Sequence, residues 1–239
     1  MGFERVLILG GTGDAVALAG LLVEAGYDVV SSLAGVTADP VLPRGRVRRG
    51  GFGGADGLQR YVAEEGIAAV IDATHPFSAQ ISRHAAAVKV PLLRLERPAW
   101  PIEPGWTVVR TVAEAAAALP AGCRALVTIG RKEIAPFFAR DDVSGVARMI
   151  EAVDAPAHWI VLADRPPFTL EDERALIERQ AITHLVAKNS GGSSGLTKLI
   201  AAREKNLPVV MIDRPAKPEM PSFSSAGDVV PALRRMLSA

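Results

Sequence analysis

The feature that most restricts this chain is an alternation. Short runs rich in valine, isoleucine and leucine alternate with longer, alanine-rich runs at helical period along nearly the whole length. Strand signals fall at 5–9, 28–33, 47–49, 68–72 and 92–95, with helical patterns at 14–24, 55–64 and 78–88. The strand runs are apolar on both faces, so both faces need cover. Parallel strands also need long crossovers, which helices supply. A parallel sheet covered by helices on each side follows.

The alternation breaks once, at "RLERPAWPIEPGW", where Pro91, Pro98, Pro101 and Pro104 crowd together. Proline fixes φ and restrains its predecessor, which makes this stretch an extended connector and a domain boundary. The pattern then resumes, with strands at 108–110, 125–129, 147–150, 160–163, 184–187 and 209–212. Helices are expected at 112–119, 133–138, 170–179, 196–205 and 229–237. The expectation is an α/β protein of two Rossmann-like parallel-sheet domains, 1–96 and 97–239, with a ligand cleft between them.

Composition removes several function classes. The 239 residues are 49% hydrophobic, enough for a sizeable core. No apolar run reaches the roughly 20 residues that a membrane helix needs, and the N-terminus lacks a signal-peptide layout. A soluble cytoplasmic protein, monomeric or a small homo-oligomer, is expected. Cys123 is the only cysteine, so an intrachain disulfide and a clustered-cysteine metal site are excluded. His75, His84, His158 and His184 have no metal-ligand spacing, and no metal is expected. His84, His158 and His184 are read as structural. A net charge of +1 carries no nucleic-acid signature. Basic residues nevertheless gather at loops: Arg44, Arg46, Arg48 and Arg49, then Arg131 and Lys132, then Arg214 and Lys217. Several follow predicted strands, where ligands of parallel sheets sit, which favours an anionic small molecule.

Two glycine loops stand out. The first strand runs into "GGTGDA", with Gly10, Gly11, Thr12, Gly13 and Asp14. A glycine turn ahead of a helix lets backbone approach a pyrophosphate, and the helix N-terminus offers free N–H groups. The spacing falls short of G-x-G-x-x-G, since Ala15 or Val16 stands at the third place. The second strand ends in Ser31 and Ser32 with no carboxylate, so NADP is favoured over NAD, and Arg49 and its basic neighbours could neutralise a 2′-phosphate. "DATHPF" puts Asp72, Thr74 and His75 after the fourth strand, near the nicotinamide half of such a coenzyme, with Asp72 orienting the loop. The second glycine loop, "KNSGGSSG", lacks P-loop spacing.

Taken in order, "LILGGTGDA", "SLAG", "RRGGFGG", "DATHPF", "RLERPAW", "TIGRKEI", "DRPPF", "KNSGG" with "TKLIAAR", and "VVMIDRP" resemble the precorrin-6A reductase family of cobalamin biosynthesis. The resemblance spans nearly the whole chain. It implies NADPH and a tetrapyrrole held by two Rossmann-like domains, and reduction of one ring double bond to give precorrin-6B. The chain departs from the family pattern where Val36 precedes Thr37, a place often held by arginine.

A precorrin carries many carboxylates, which call for cations at loop ends. Arg97, Arg131, Lys132, Arg165, Lys188 and Arg214 lie at or beyond predicted strand ends, with Asn189 and Ser190 beside them as further substrate ligands. His75 and Lys188 are the candidate catalytic proton donors. Reduction of the cobalt form and a non-catalytic NADP sensor are the alternatives. A short-chain dehydrogenase would need Tyr-x-x-x-Lys, but Ser31 follows Tyr27 and Glu65 follows Tyr61 at that spacing.

Overall fold

The computed structural model describes residues 4–34 and 42–238, so Val36 and Thr37 lie outside the described residues. The elements run β1 (Arg5–Leu9), α1 (Gly13–Glu24), β2 (Asp28–Leu33), β3 (Arg46–Arg49), α2 (Ala55–Glu64), β4 (Ile67–Asp72), α3 (Ala79–Ala85) and β5 (Leu92–Leu95). They continue with β6 (Thr107–Val109), α4 (Val112–Ala117), β7 (Arg124–Thr128), a 3-10 turn (Arg131–Glu133), α5 (Ala135–Phe138), β8 (Ser144–Met149) and β9 (Trp159–Ala163). The last are α6 (Leu170–Arg179), β10 (His184–Lys188), α7 (Thr197–Glu204), β11 (Val209–Ile212), β12 (Ser222–Phe223) and α8 (Ala226–Leu237). The expected alternation is present. It differs in small ways: the helix expected at 133–138 divides into the 3-10 turn and α5, and β8 begins at Ser144.

The chain forms two compact units, residues 1–98 with 215–239, and residues 99–214. In the first, six parallel strands lie in the order β12-β5-β4-β1-β2-β3. Read from β3 this is the 3-2-1-4-5-6 order of a dinucleotide-binding fold. The second unit has β6-β11-β10-β7-β8-β9, also parallel throughout. Its own first five strands, β7 to β11, repeat the same order, and β6 takes the sixth place.

The division between the units lies at 98/99, within the proline-rich stretch, and the C-terminal residues do not group with the second unit. Residues 215–239 return to the first. β12 pairs with β5, with Ser222 opposite Arg94 and Phe223 opposite Leu95. The physical reason is the apolar face of α8, whose Val229 and Leu233 are buried in one cluster with Leu18 and Leu22 of α1 and Leu93 of β5. A second layer on the other face of the same sheet gathers Leu7, Leu9, Val30 and Val70 around Leu58 and Val62 of α2. In the second unit, Leu126, Val146, Leu185 and Met211 pack with Leu176 and Ile177 of α6 and Leu199 of α7. The inner strands of both sheets are therefore shielded from water, while edge residues such as Val108 and Ile160 are exposed, and the strand ends are left to carry chemistry.

Candidate functional site

In the first unit the strand order reverses between β1 and β4, and the "GGTG" turn lies at the end of β1. Gly11 has φ of +106°, a conformation that a side chain would strain. A Cβ built on Gly11 or Gly13 meets nothing within 4 Å, so the approach to this turn is open. Thr12 caps α1: its hydroxyl accepts from Ala15 N–H (3.1 Å) and donates to the Ala73 carbonyl (2.9 Å). The cap thus ties the turn after β1 to the loop after β4 and leaves the helix N-terminus facing outward, as a pyrophosphate requires.

Behind that turn lies a cavity of about 300 Å³, on the sheet face shared with α2 and α3. Leu9, Gly10, Ser32 and Thr74 line it at or just beyond the ends of β1, β2 and β4, with Ser78 from the start of α3. Phe52 within the glycine segment after β3, and Ile81 and His84 on α3, complete it. The segment is anchored at Gly57, where a Cβ would sit only 1.7 Å from the Phe52 carbonyl oxygen. Of the two serines expected here, Ser32 alone lines the cavity. Successive strand residues face opposite ways, so Ser31 is buried on the α1 side, its hydroxyl without a hydrogen-bond partner among the described residues.

The arginines around β3 have other work. Arg44 pairs with Glu24, and Arg46 with Asp28. Arg48 donates to Ser32 Oγ (2.8 Å) and to the carbonyls of Gly50 and Gly51, with its guanidinium 3.9 Å from the Phe52 ring centre. Arg49 is exposed on the opposite side of the strand from Arg48.

At the end of β4, Thr74 donates from both its N–H (3.2 Å) and hydroxyl (2.6 Å) to Asp72 Oδ1. Asp72 Oδ2 faces Arg94 Nε at 3.6 Å in a buried ion pair, and Arg94 reaches the Pro218 carbonyl at 3.1 Å. Asp72 therefore orients its loop, as expected, and Arg94 links that loop to the returning C-terminal segment. The His75 Nδ1 accepts from Phe77 N–H at 3.3 Å, which leaves the proton on Nε2. Lys217 pairs with Glu96 beside the His75 carbonyl. Arg97, expected to bind substrate, pairs at 2.7 Å with Asp14 of the first turn of α1.

In the second unit the order reverses between β7 and β10, and "KNSGGSSG" follows β10. The two loops are thus not equivalent in topology: the second glycine loop occupies the place that "DATHPF" has in the first unit. Lys188 pairs with Glu133 of the 3-10 turn after β7. Asn189 is buried and makes a two-way pair with the Trp100 backbone, accepting from its N–H (2.8 Å) and donating to its carbonyl (3.1 Å). Trp100 Nε1 donates to the Gly192 carbonyl at 2.8 Å. Arg214 holds the same loop through the Asn189 and Ser190 carbonyls at 2.8 and 3.2 Å. Gly191 and Gly192 take φ of +67° and +77°, which the tight reversal demands. Arg131 pairs with Glu151, while Lys132 and Arg165 are exposed.

Lys198, at the start of α7, donates to the Gly195 carbonyl at 3.0 Å and lies 5.3 Å from the Trp100 ring centre. Its surroundings include the buried two-pronged pair of Arg148 with Glu173. Burial first, and then Arg148, push its pKa down to about 8, against the pull of Glu173.

A sequence profile of the family described as Precorrin-6x reductase CbiJ/CobK matches residues 5–234. The chain belongs to that family. A precorrin-6A reductase of Rhodococcus erythropolis is 45% identical, with 96% of each chain covered. A cobalt-precorrin-6A reductase of Priestia megaterium is 32% identical, with 95% of this chain and 97% of the other covered. A solved structure titled "CobK precorrin-6A reductase" superposes with a TM-score of 0.91 at 39% identity, covering 98% of this chain and 97% of the other.

For a chain of this reductase family, the structure groups the expected residues into two sets. Gly10, Gly11, Thr12, Gly13, Asp14, Ser32, Thr74 and His75 lie at the strand ends of the first unit, and Arg97 belongs there too through Asp14. Arg131, Lys132, Arg165, Lys188, Asn189, Ser190 and Arg214 belong to the second. Sequence reasoning missed Glu133 as the partner of Lys188, the glycines at 50–54 and His84 as cavity walls, and Trp100 as the element that Asn189 holds. The glycines had a legible signal, since four of them surround one aromatic directly after a strand. No helix among the described residues is long and apolar enough to cross a membrane, and none of their acidic, histidine and cysteine side chains form a metal-binding group.

Proposed function

We propose that the protein uses NADPH to reduce one ring double bond of precorrin-6A, giving precorrin-6B in cobalamin biosynthesis. The observation that carries this is the likeness to precorrin-6A reductase along 96% of both chains. The metal-free substrate is preferred to its cobalt form because the relative named for the metal-free substrate is 45% identical and the one named for the cobalt form 32%.

The coenzyme supplies the hydride. The residues of the first unit fit it: an open glycine turn at a capped helix N-terminus for the pyrophosphate, and a hydroxyl instead of a carboxylate at the end of β2 for the ribose end. Thr74, fixed by Asp72, and His75, whose Nδ1 accepts from Phe77 N–H, are the groups assigned to the nicotinamide end. In the second unit, Lys188 and the exposed Arg131, Lys132 and Arg165 meet substrate carboxylates. Asn189 and Arg214 hold the loop that presents Lys188 and Ser190, so their part is positioning. Reduction consumes one hydride and one proton, and His75 and Lys188 are the groups assigned to deliver the proton.

The test is NADPH oxidation by the purified protein with precorrin-6A, followed by loss of NADPH absorbance together with the tetrapyrrole spectrum. Parallel reactions contain the cobalt form, or NADH. Matched spectral changes with precorrin-6A and NADPH are expected. Faster turnover of the cobalt form moves the protein to the other branch, and tight NADPH binding with no oxidation of either pairing leaves only the sensor reading.

A further inference from the structure

The cavity beside the first glycine turn contains a set of groups that the reading above leaves unassigned. Among the described residues its wall has no carboxylate, and His84 is the one side chain there able to carry a positive charge. Among the described residues the His84 ring makes no hydrogen bond, and the N–H groups of Gly51, Phe52, Gly53 and Gly54 donate to no protein group. Gly53 and Gly54 have φ of +76° and +101°, and a Cβ on Gly51, Gly53 or Gly54 would meet nothing within 4 Å. Unspent N–H groups bordering a cavity are available to donate to an anion. The place is also specific. The cavity begins at the turn assigned to the pyrophosphate, passes Ser32 at the end of β2, and ends between the glycine segment and α3. The end of β2 is where this fold meets the adenosine ribose.

The nearby arginines do not supply that charge from within the cavity. Arg44 and Arg46 are held in ion pairs, Arg48 is spent on Ser32 and on two carbonyls, and Arg49 faces away from Arg48. We propose that the cavity reads the 2′-phosphate of NADPH through the N–H groups of Gly51–Gly54 and the ring N–H of His84. This rests on the coenzyme reading above and adds the residues that choose between NADPH and NADH. It also moves that choice away from Arg49.

The experiment is calorimetric titration of the full chain and of three variants, His84→Leu, His84→Lys and Arg49→Ala. The probes are NADPH, NADH, adenosine 2′,5′-bisphosphate and 5′-AMP. Loss of a charge-assisted hydrogen bond predicts about tenfold or greater weakening of NADPH and of the bisphosphate in His84→Leu. NADH and 5′-AMP affinities should stay within about twofold, His84→Lys should recover the NADPH preference, and Arg49→Ala should keep it. Equal weakening of both coenzymes in His84→Leu, or a preference that is lost in Arg49→Ala and kept in His84→Leu, overturns the proposal while leaving the coenzyme reading intact. Wild-type protein that binds neither coenzyme overturns both.

Discussion

The two units share one strand order and diverge in what they place at its ends. At the end of the first strand, the first unit has an open glycine turn and a twelve-residue helix, whereas the second has a 3-10 turn and the four-residue α5. At the end of the fourth strand the signs are opposite. β4 ends in Asp72, fixed by Thr74 and Arg94; β10 ends in Lys188, paired with Glu133. A parallel sheet provides the ledge, and the residue at the strand end decides which ligand it serves. The sixth strand differs too, since β6 precedes its unit's other strands and β12 reaches its own only after the whole second unit.

The sharpest way to break this comparison is to cut the chain. The second unit is one continuous segment with all six strands, so residues 99–214 alone should melt cooperatively by circular dichroism. Residues 1–98 lack β12 and α8, and with them Val229 and Leu233, and should show no cooperative transition. A cooperative melt for 1–98 would mean that the returning segment is decoration. Next in size is Asn189→Ala, which strands the Trp100 N–H and carbonyl. It should cost about 1–3 kcal/mol in urea denaturation, and an unchanged midpoint would remove Asn189 from the loop's support.

Ligand effects come next. Gly11→Val should weaken NADPH binding at least about tenfold with little change in the precorrin-6A KM, through strain at positive φ and crowding of the turn. Lys188→Ala should do the reverse, raising that KM about tenfold at unchanged NADPH affinity. Both variants disturbing the same ligand would dissolve the division of labour. The smallest effect belongs to Lys198. Its native pKa is near 8 and its unfolded value near 10.5, so between these the unfolded chain binds more protons, and stability rises with pH. Wild-type Tm should therefore gain on that of Lys198→Met from about pH 7.5 to about pH 10. A constant difference would show that Lys198 titrates normally.

Much of this was legible in the sequence because it depends on local pattern. The strand and helix runs, the proline boundary and both glycine loops are short-range signals. β12 was not, because two residues after a proline show no period. Nor was the return of the C-terminus, which depends on α8 finding the apolar face of α1 about two hundred residues earlier in the chain. The cations were over-read for a related reason: Arg44, Arg46 and Arg97 look free until Glu24, Asp28 and Asp14 come beside them. Ser31 and Ser32 looked equivalent, yet strand alternation alone could have separated them. Arg48 and Arg49 divide by the same rule.

The returning segment has a consequence for synthesis. β5 is finished by residue 95, but β12 and α8 emerge from the ribosome only after the whole second unit. At ordinary elongation speeds that gap is on the order of ten seconds. During it the first unit has an unpaired strand edge at β5 and a bare apolar face on α1, both invitations to association with other chains. The later-made unit can finish folding first, so the nascent protein is completed from its middle outward.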